Sequence, residues 1–530
     1  MNRIKFAVLI WLPLLTYLVY LLSKLAWFDS LTSFADDSVH YLVMARHFSP
    51  WNGESGAIAM AWPLQYFPPF FPLLLAVSGA AHSLLYAHIL VAGFGLACIY
   101  FYYLLSSQWL KSHTLAIFPI LIFSLSPGFI FSIQGILSES LFLFFVLIFM
   151  LLYKPSDQQS RGQIAIYSTL LAVILLTRTI GLALCLAVLA QAFFCSITQK
   201  RIQFRPIIIV VISLCIYFAL MTVWGPVKEG TYIKILIPYL TGQGMSAEGS
   251  GYIYYFSFFP QLLTLLDNWT SFWIIYWTDE FSGIYIIFLT LLLFSLTGLI
   301  IRLMENRYDA WYVLFFIVIL VIWPYPGQMF RLLFPIMPIL LLYAGYAITR
   351  FVDRLKVYKK KELVPAVFYL FVLAGILPSH VFINARASIA SERQMVPVYE
   401  IFRIADAEAA SEILLLQNRM FTDFKALSDT VLPDDKIMYF LPSYLAILSD
   451  RGGVQAPSPV DEKKYREIAT ASDAKFIFLT RLHPRNTRLN YSGFKGADQN
   501  LKDWARLLWC SQLAEGKYAS CLYKIVESDK

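Results

Sequence analysis

The sequence predicts an α-helical polytopic membrane protein with about eleven transmembrane helices and a small C-terminal α/β domain. Of its 530 residues, 58% are hydrophobic and only 14% are charged. Soluble domains are nearer half apolar and a quarter charged, so this chain is too apolar for that class. A helix needs about 20 apolar residues to cross a hydrocarbon core roughly 30 Å thick. The segments that approach this length are 6–26, 84–105, 114–131, 139–153, 164–177, 181–197, 206–224, 284–301, 310–323, 332–348 and 363–380.

The first segment follows Arg3 and Lys5, as a signal peptide would, but it is long and lacks a small-residue cleavage site, so it is predicted to be a retained helix. Short loops rich in Lys and Arg favour the cytoplasmic side. A cytoplasmic N-terminus places most of these residues there, including Lys359, Lys360 and Lys361. The net charge of +8 therefore reflects membrane orientation, and no nucleic-acid partner is needed to explain it.

With this orientation, the part of the chain after the last span lies outside. Residues 1–384 are predicted to form the transmembrane domain, with outer loops 27–83 and 225–283, and residues 385–530 an extracytoplasmic domain. Charge is frequent in this tail, and its apolar segments "KIMYF", "AKFIFLT" and "CLYKIV" indicate short strands. A helical stretch, "VDEKKYREIATA", separates the strands, which indicates a small α/β fold.

Two cysteines of the tail are predicted to form a disulfide. Cys510 and Cys521 lie on either side of the turn "AEGK", which can place two strands and their thiols opposite one another. An oxidising compartment would then favour the bond, and the alternative is a pair of free buried thiols.

The first outer loop contains two adjacent carboxylates, Asp36 and Asp37, in the segment "DDSVHYLVMARHF". Helical periodicity puts Asp37 and Tyr41 on one face, and Asp36 and His40 likewise share a face. Repulsion between neighbouring carboxylates raises one pKa and can leave the ionised partner available as a base. The alternative is that "SFADDS" caps the N-terminus of the helix.

Three further charged residues are predicted at the same outer level of the membrane. Glu139 opens the fourth span, Arg178 lies between two short spans, and Arg331 precedes the sequence "LLFPIMPILLL". An arginine there can bind a lipid phosphate through two hydrogen bonds, while the alternative is an ion pair or a snorkelling anchor. Lys228, in the second outer loop, could assist the phosphate or be an ordinary solvated residue.

These motifs together resemble the GT-C membrane glycosyltransferases, in particular the branch with the protein O-mannosyltransferases and the lipid A aminoarabinose transferase. The resemblance rests on "DDSVHYLVMARHF", "PPFFPLLLA", "SESLFLFFVLIFMLLY", "LTRTIGLAL" and "RLLFPIMPILLLYAGY", in this order between residues 36 and 346. It implies a GT-C type fold and an enzyme that moves a sugar, with inversion, from a polyprenyl-phosphate carrier. The implied acceptor is a lipid, a protein or a glycan on the outer face.

The resemblance also implies roles for individual residues. An acidic residue of the first outer loop, Asp36 or Asp37, is the general base that removes the acceptor proton. Arg178 and Arg331 match arginines near the membrane level that receive the departing lipid phosphate, and Glu139 matches the acidic position that opens the fourth span.

The spacing around the acidic pair departs from the family pattern. Family members have a tyrosine after two intervening residues, whereas here His40 occupies that position and Tyr41 follows. Alignment on Tyr41 favours Asp37 as the base, and alignment on the acidic pair favours Asp36. Asp37 is the preferred candidate.

No cofactor is required by this chemistry, because arginines can stabilise the phosphate without a metal. The sequence has no His-x-x-x-His motif or cysteine cluster for zinc, and a divalent ion bridging phosphate and carboxylates stays an open alternative. The predicted location is a bacterial inner membrane with a periplasmic active site, and the endoplasmic reticulum is the open alternative. Rival interpretations are a transporter or flippase of lipid-linked sugars, a polymerase or ligase with a pyrophosphate-linked donor, and a non-catalytic scaffold.

Overall fold

Apolar helices extend to Glu392, and a mixed α/β domain follows them. The computed structural model describes residues 14–20, 35–64, 67–155, 158–224, 231–241, 245–246, 253–254, 256–275, 282–325, 328–354, 362–392, 407–456, 460–481, 501, 503–514 and 517–526. Residues 14–20 are helical and belong to the first predicted span, 6–26, the rest of which lies outside the described residues.

Three short helices precede the second predicted span: α1 (Ala35–His47), α2 (Gly56–Ala61) and α3 (Phe70–Val77). The side chain of Ser55 caps α2 by accepting a hydrogen bond from the Ile58 N–H. Helices α1 and α3 pack together, with the ring centroids of Tyr41 and Phe71 5.0 Å apart in an edge-to-face contact. The loop with the acidic pair is therefore a packed helical layer.

The remaining helices of the membrane domain follow in order. They are α4 (Leu84–Leu110), α5 (Ile117–Leu125), α6 (Pro127–Gln134), α7 (Glu139–Leu152), α8 (Arg161–Thr177), α9 (Leu182–Gln199), α10 (Phe204–Trp224), α11 (Thr231–Leu240), α12 (Phe258–Trp273), α13 (Ser282–Met304), α14 (Tyr308–Val321), α15 (Met329–Leu333), α16 (Met337–Arg354) and α17 (Leu363–Glu392), with a small hairpin of β1 (Met245–Ser246) and β2 (Ile253–Tyr254) between α11 and α12.

Each later predicted span coincides with helical structure, which confirms the predicted fold class. In the described part of the chain, five helices are long and apolar enough to cross a membrane: Leu84–Leu110, Thr179–Gln199, Phe204–Val223, Ile284–Met304 and Leu363–Ile383. Helices α7, α8 and α14 are shorter. The 14 residues of α7 extend about 21 Å at ~1.5 Å per residue, less than a bilayer core of ~30 Å.

The predicted span 114–131 is broken into α5 and α6, which are bent by 59°. Ser126 has extended backbone angles and caps α6, whose first residue is Pro127. Proline has no N–H and a fixed φ, so it suits the start of a helix and interrupts a continuous one. The bent pair would raise the number of candidate spans in the described residues from five to six.

The C-terminal domain is built on a five-stranded sheet in the order β4-β3-β5-β7-β6. Its elements are α18 (Ala407–Thr430), β3 (Lys436–Tyr439), α19 (Pro442–Leu448), β4 (Gly453–Gln455), α20 (Glu462–Ser472), β5 (Ala474–Thr480), β6 (Ala505–Ala514) and β7 (Lys517–Ile525). Strand β3 pairs in parallel with β4 and β5, and β7 pairs antiparallel with β5 and β6. The predicted strands "KIMYF", "AKFIFLT" and "CLYKIV" coincide with β3, β5 and β7, and the predicted helix with α20.

Cys510 and Cys521 face each other across the β6–β7 pair. Their Cα atoms are 4.1 Å apart and the two residues are joined by a disulfide.

The C-terminal domain packs directly on the layer formed by α1 to α3. A guanidinium N–H of Arg46 in α1 donates to the Ile447 carbonyl at 3.4 Å, and the Ser55 hydroxyl donates to Asp450 at 2.7 Å. One continuous apolar cluster extends from α1 and α3 into α18, α19 and the sheet. The domain is thus in contact with the helix that contains the acidic pair.

Candidate active site

Asp37 lies in the first turn of α1, and its carboxylate forms an ion pair with Arg331. Arg331 belongs to α15, a five-residue helix whose residues are all buried. The two side chains are only 13% and 8% exposed, so the pair is largely removed from water. Asp36 occupies the same turn of backbone, and its side chain lies outside the described residues.

Glu139 and Arg178 form a second ion pair next to the first. Glu139 is the first residue of α7 and is completely buried, and its carboxylate oxygen is 2.5 Å from an Nη atom of Arg178. Arg178 has an extended backbone (φ −153°, ψ 133°) between α8 and a 3₁₀ turn, Thr179–Gly181. Arg178 therefore meets Glu139 from a break between two helices.

Arg331 links the two pairs, because its Nε atom is also 3.7 Å from Glu139 Oε1. The four groups therefore form a row of alternating sign: Asp37, Arg331, Glu139 and Arg178. Their formal charges add to zero. Among the described residues, neither oxygen of Glu139 accepts a hydrogen bond of good geometry, so its contacts with the two guanidinium groups are mainly ionic.

The hydroxyl groups of Tyr41 and Ser138 lie beside the Arg178 end of the row. The two hydroxyl oxygens are 2.9 Å apart, and an Nη–H of Arg178 donates to the Ser138 hydroxyl at 3.3 Å. The Tyr41 ring also contacts the ring of Phe67 at a centroid distance of 4.9 Å. Burial raises the pKa of Tyr41, so its hydroxyl stays protonated and acts only through hydrogen bonds.

His40 lies between the acidic pair and the C-terminal domain. Its Nδ1 atom is 3.5 Å from the hydroxyl of Ser443, the second residue of α19, and its ring centroid is 5.8 Å from that of Phe67. The positive electrostatic influence of His40 also acts on Asp37. A residue of the C-terminal domain therefore lies one side chain away from the candidate base.

Two opposing effects set the pKa of the Asp37 carboxyl. Burial alone would raise it, but the charge and hydrogen bond of Arg331, with smaller contributions from His40 and Arg178, together outweigh burial, and the pKa lies below its usual value. Asp37 is therefore an ionised carboxylate at neutral pH, in the protonation state that a general base requires.

The structure brings together Asp37, Glu139, Arg178, Arg331 and Tyr41 from segments far apart in the sequence. Lys228, also considered for the phosphate, lies outside the described residues, so nothing places it here. Within the described part of the chain, no group of three or more His, Cys, Asp or Glu side chains is arranged to hold a metal ion.

Sequence reasoning missed Ser138 and Ser443. Ser138 directly precedes Glu139 in "LSES", and its position beside a charged residue at a helix start was the available signal. Ser443 had no comparable signal, because its partner His40 is 403 residues away in the chain.

No family model and no curated protein matches the sequence. Solved structures do match its fold. The crystal structure of ArnT from Cupriavidus metallidurans bound to undecaprenyl phosphate superposes with a TM-score of 0.54 and 15% identity, over 99% of both chains. The apo form of ArnT gives the same score and identity, over 99% of this chain and 98% of that one.

A further match is the cryo-EM structure of the arabinofuranosyltransferase AftD from Mycobacteria. It superposes with a TM-score of 0.50 and 13% identity, over 100% of this chain and 40% of that one. The agreement with ArnT along nearly the whole length of both chains includes the membrane helices and the C-terminal domain. This chain is a multi-pass membrane protein with the fold of the GT-C glycosyltransferases, as its ordered sequence motifs predicted.

Proposed function

We propose that this protein is an inverting glycosyltransferase that moves a sugar from a polyprenyl-phosphate carrier to a lipid, protein or glycan acceptor. The main support is the buried cluster in which one ionised carboxylate, Asp37, lies beside two arginines. A carboxylate can accept the acceptor's proton, and guanidinium groups bind phosphate through paired, charge-assisted hydrogen bonds.

In this mechanism the Asp37 carboxylate takes the proton of the acceptor hydroxyl. The acceptor oxygen attacks the anomeric carbon from the face opposite the phosphate, which inverts the configuration. The bond between the anomeric carbon and the phosphate oxygen breaks, and its electron pair stays on that oxygen. The departing polyprenyl phosphate gains one negative charge, which Arg178 and Arg331 stabilise.

The fold comparison supports the choice of carrier. ArnT was crystallised with undecaprenyl phosphate, a lipid that ends in a phosphate monoester. The product that our mechanism releases has the same chemistry. We therefore take a polyprenyl monophosphate, and not a pyrophosphate, as the carrier of the donor sugar.

We also propose an orientation: a bacterial inner membrane, the N-terminus in the cytoplasm, and the C-terminal domain, residues 385–530, in the periplasm. The distribution of Lys and Arg supports it, since short basic loops stay in the cytoplasm. The disulfide between Cys510 and Cys521 supports it independently, because such bonds persist in oxidising compartments.

The test is transfer of radiolabelled sugar from a panel of synthetic polyprenyl-phosphate sugars by the purified protein, with a membrane lipid extract as acceptor. We expect Asp37→Asn to lower the rate about 10²- to 10⁴-fold, the usual contribution of a general base. Asp36→Asn, assayed in parallel, separates the two candidate bases.

Glu305→Gln is the matched control, because Glu305 is a carboxylate paired with an arginine, Arg350, at the protein surface. It should keep wild-type activity. Unchanged activity in Asp37→Asn would refute Asp37 as the base. If no donor is consumed while polyprenyl lipid co-purifies with the protein, a transporter or a pyrophosphate-dependent enzyme becomes the better explanation.

A further inference from the structure

The proposed reaction requires the guanidinium group of Arg331 for the donor phosphate, although in the structure that group is paired with Asp37. In the structure its guanidinium group is the partner of the Asp37 carboxylate. During transfer, the same guanidinium group is needed by the donor phosphate, and Asp37 must be free to accept a proton. Both demands cannot be met by the arrangement that the structure shows.

The two arginines differ in how firmly they are held. Arg178 contacts Glu139 at 2.5 Å and also donates to Ser138, whose hydroxyl is in turn hydrogen-bonded with Tyr41. Arg331 is closely paired with Asp37, and its second carboxylate contact, with Glu139, is longer at 3.7 Å. A small rotation of Arg331 away from Asp37 keeps it beside Glu139, so Arg331 is the arginine free to change partners.

The charges in the site require such an exchange. Two carboxylates and two guanidinium groups already cancel. An incoming phosphodiester adds one negative charge in a region with little water, where an uncompensated anion is costly. Sharing a guanidinium group offsets that cost, and the hydroxyl of an acceptor can then replace Arg331 as the hydrogen-bond donor to Asp37.

We propose that the donor phosphate displaces Asp37 from Arg331, so that the base becomes available only after the donor has bound and the acceptor binds second. This inference rests on the proposed function. A carboxylate released from a cationic partner is the stronger base, because the interaction that favoured its ionised form has been lost. The resting enzyme would therefore keep its base weak until the donor is in place.

The inference is tested by binding, without turnover. The probe is a synthetic polyprenyl monophosphate without sugar, titrated into the purified protein and followed by native mass spectrometry. Suppose that Arg331 is paired with Asp37 in about nine of ten protein molecules. Removing the Asp37 carboxylate then lowers the apparent Kd for the probe about tenfold. We expect that gain in Asp37→Asn and no change in Glu305→Gln.

A double-mutant cycle separates the exchange from a plain charge effect. Removing a carboxylate near an anion site also relieves repulsion, whether or not Arg331 is present. We therefore compare Asp37→Asn with the wild type, and the pair Asp37→Asn/Arg331→Gln with Arg331→Gln alone. The exchange predicts a gain only where Arg331 is present. An equal gain in both backgrounds, or none in either, overturns it.

Folding of the variants is controlled in the same samples. Asp37→Asn leaves Arg331 buried without its partner, so it should unfold at a lower temperature without lipid and gain more from added lipid than the wild type does. Purification with the lipid present keeps a weak variant measurable, and Asp37→Ala is a second variant with the same expectation. If the wild type does not bind the probe at all, the proposed function fails as well; binding without coupling between Asp37 and Arg331 refutes this inference alone.

Discussion

At Asp37, burial and charge act on one carboxyl group in opposite directions. Burial removes water from the carboxylate, and Arg331 supplies a positive charge and a hydrogen bond in its place. With the smaller contributions of His40 and Arg178, the charge effect exceeds that of burial, so the carboxyl group is both buried and ionised. Arg331, from a distant segment, is the largest of the groups that keep the candidate base ionised.

The lowered pKa of Asp37 predicts how the stability of the protein depends on pH. A carboxyl with a folded-state pKa below its ordinary value of 3.8 stabilises the folded form above that value, and the contribution is lost as the pH falls through the folded-state pKa. The stability difference between the wild type and Asp37→Asn should therefore be constant from pH 8 to about 5 and shrink only below about 4.

Thermal unfolding of both proteins across this pH range measures the difference directly. Glu305→Gln, at the surface, corrects for general effects of removing a carboxylate. A difference that already shrinks between pH 7 and 5 would mean that Asp37 titrates near neutrality, against the ion pair described here.

At the level of elements, a third buried ion pair joins the helices α13 and α14. The Nε and Nη2 atoms of Arg302 donate to the two carboxylate oxygens of Asp309 at 2.6 and 2.7 Å, and the Tyr343 hydroxyl donates to the same carboxylate at 2.9 Å. The guanidinium group lies 3.8 Å from the ring centroid of Trp109. Three separate helices, α4, α13 and α16, therefore meet the start of α14 at one charge pair.

Asp309→Asn should destabilise the helix bundle strongly. It leaves the Arg302 charge buried without its counter-ion, which costs about 3–5 kcal/mol in comparable sites. Glu305, four residues earlier, makes an exposed pair with Arg350, so Glu305→Gln should cost only about 0–1 kcal/mol. Equilibrium unfolding in mixed detergent micelles measures both, and similar losses in the two variants would contradict a buried role for the Asp309 pair.

Hydropathy located the membrane helices well, because a helix that faces lipid must be apolar along most of its length. It could not place the bend at Ser126, since the hydropathy of an apolar run is the same whether the helix is straight or broken.

The charged residues of the site were found because charge is rare in apolar segments; Glu139 and Arg178 stood out for that reason. Their pairing was not predictable, as it depends on where α7 and the break after α8 meet.

At the scale of the whole molecule, the C-terminal domain packs against the helices that contain the candidate site. Ser443 of its helix α19 contacts His40 of α1, and Asp450, just after α19, accepts a hydrogen bond from Ser55, the N-cap residue of α2. Sequence alone indicated the strands of this domain but not its position, because the contacts join residues about 400 apart along the chain. Loss of order in the domain should therefore disturb the candidate active site.

Breaking the disulfide tests that connection. Replacing Cys510 and Cys521 together with serine removes a cross-link over 11 residues, which is worth about 2–3 kcal/mol from loop closure. We expect the domain to unfold at a lower temperature and the transfer activity to be lost with it, before the membrane helices melt. Circular dichroism and activity, followed through the same temperature ramp, give the comparison. Activity that survives unfolding of the domain would show that α19 is not needed at the site.

The four charged residues of the candidate active site are made at very different times during synthesis of the chain. Glu139 is made 39 residues before Arg178 (178 − 139), whereas Asp37 precedes Arg331 by 294 residues. At synthesis rates of ~5–20 residues per second, Arg331 is made on the order of 15–60 s after Asp37. The Asp37–Arg331 pair can therefore form only after the chain has been made up to the start of the tenth predicted span. A nascent chain that stalls before that point has the Asp37 carboxylate without its counter-ion, so the candidate site is incomplete.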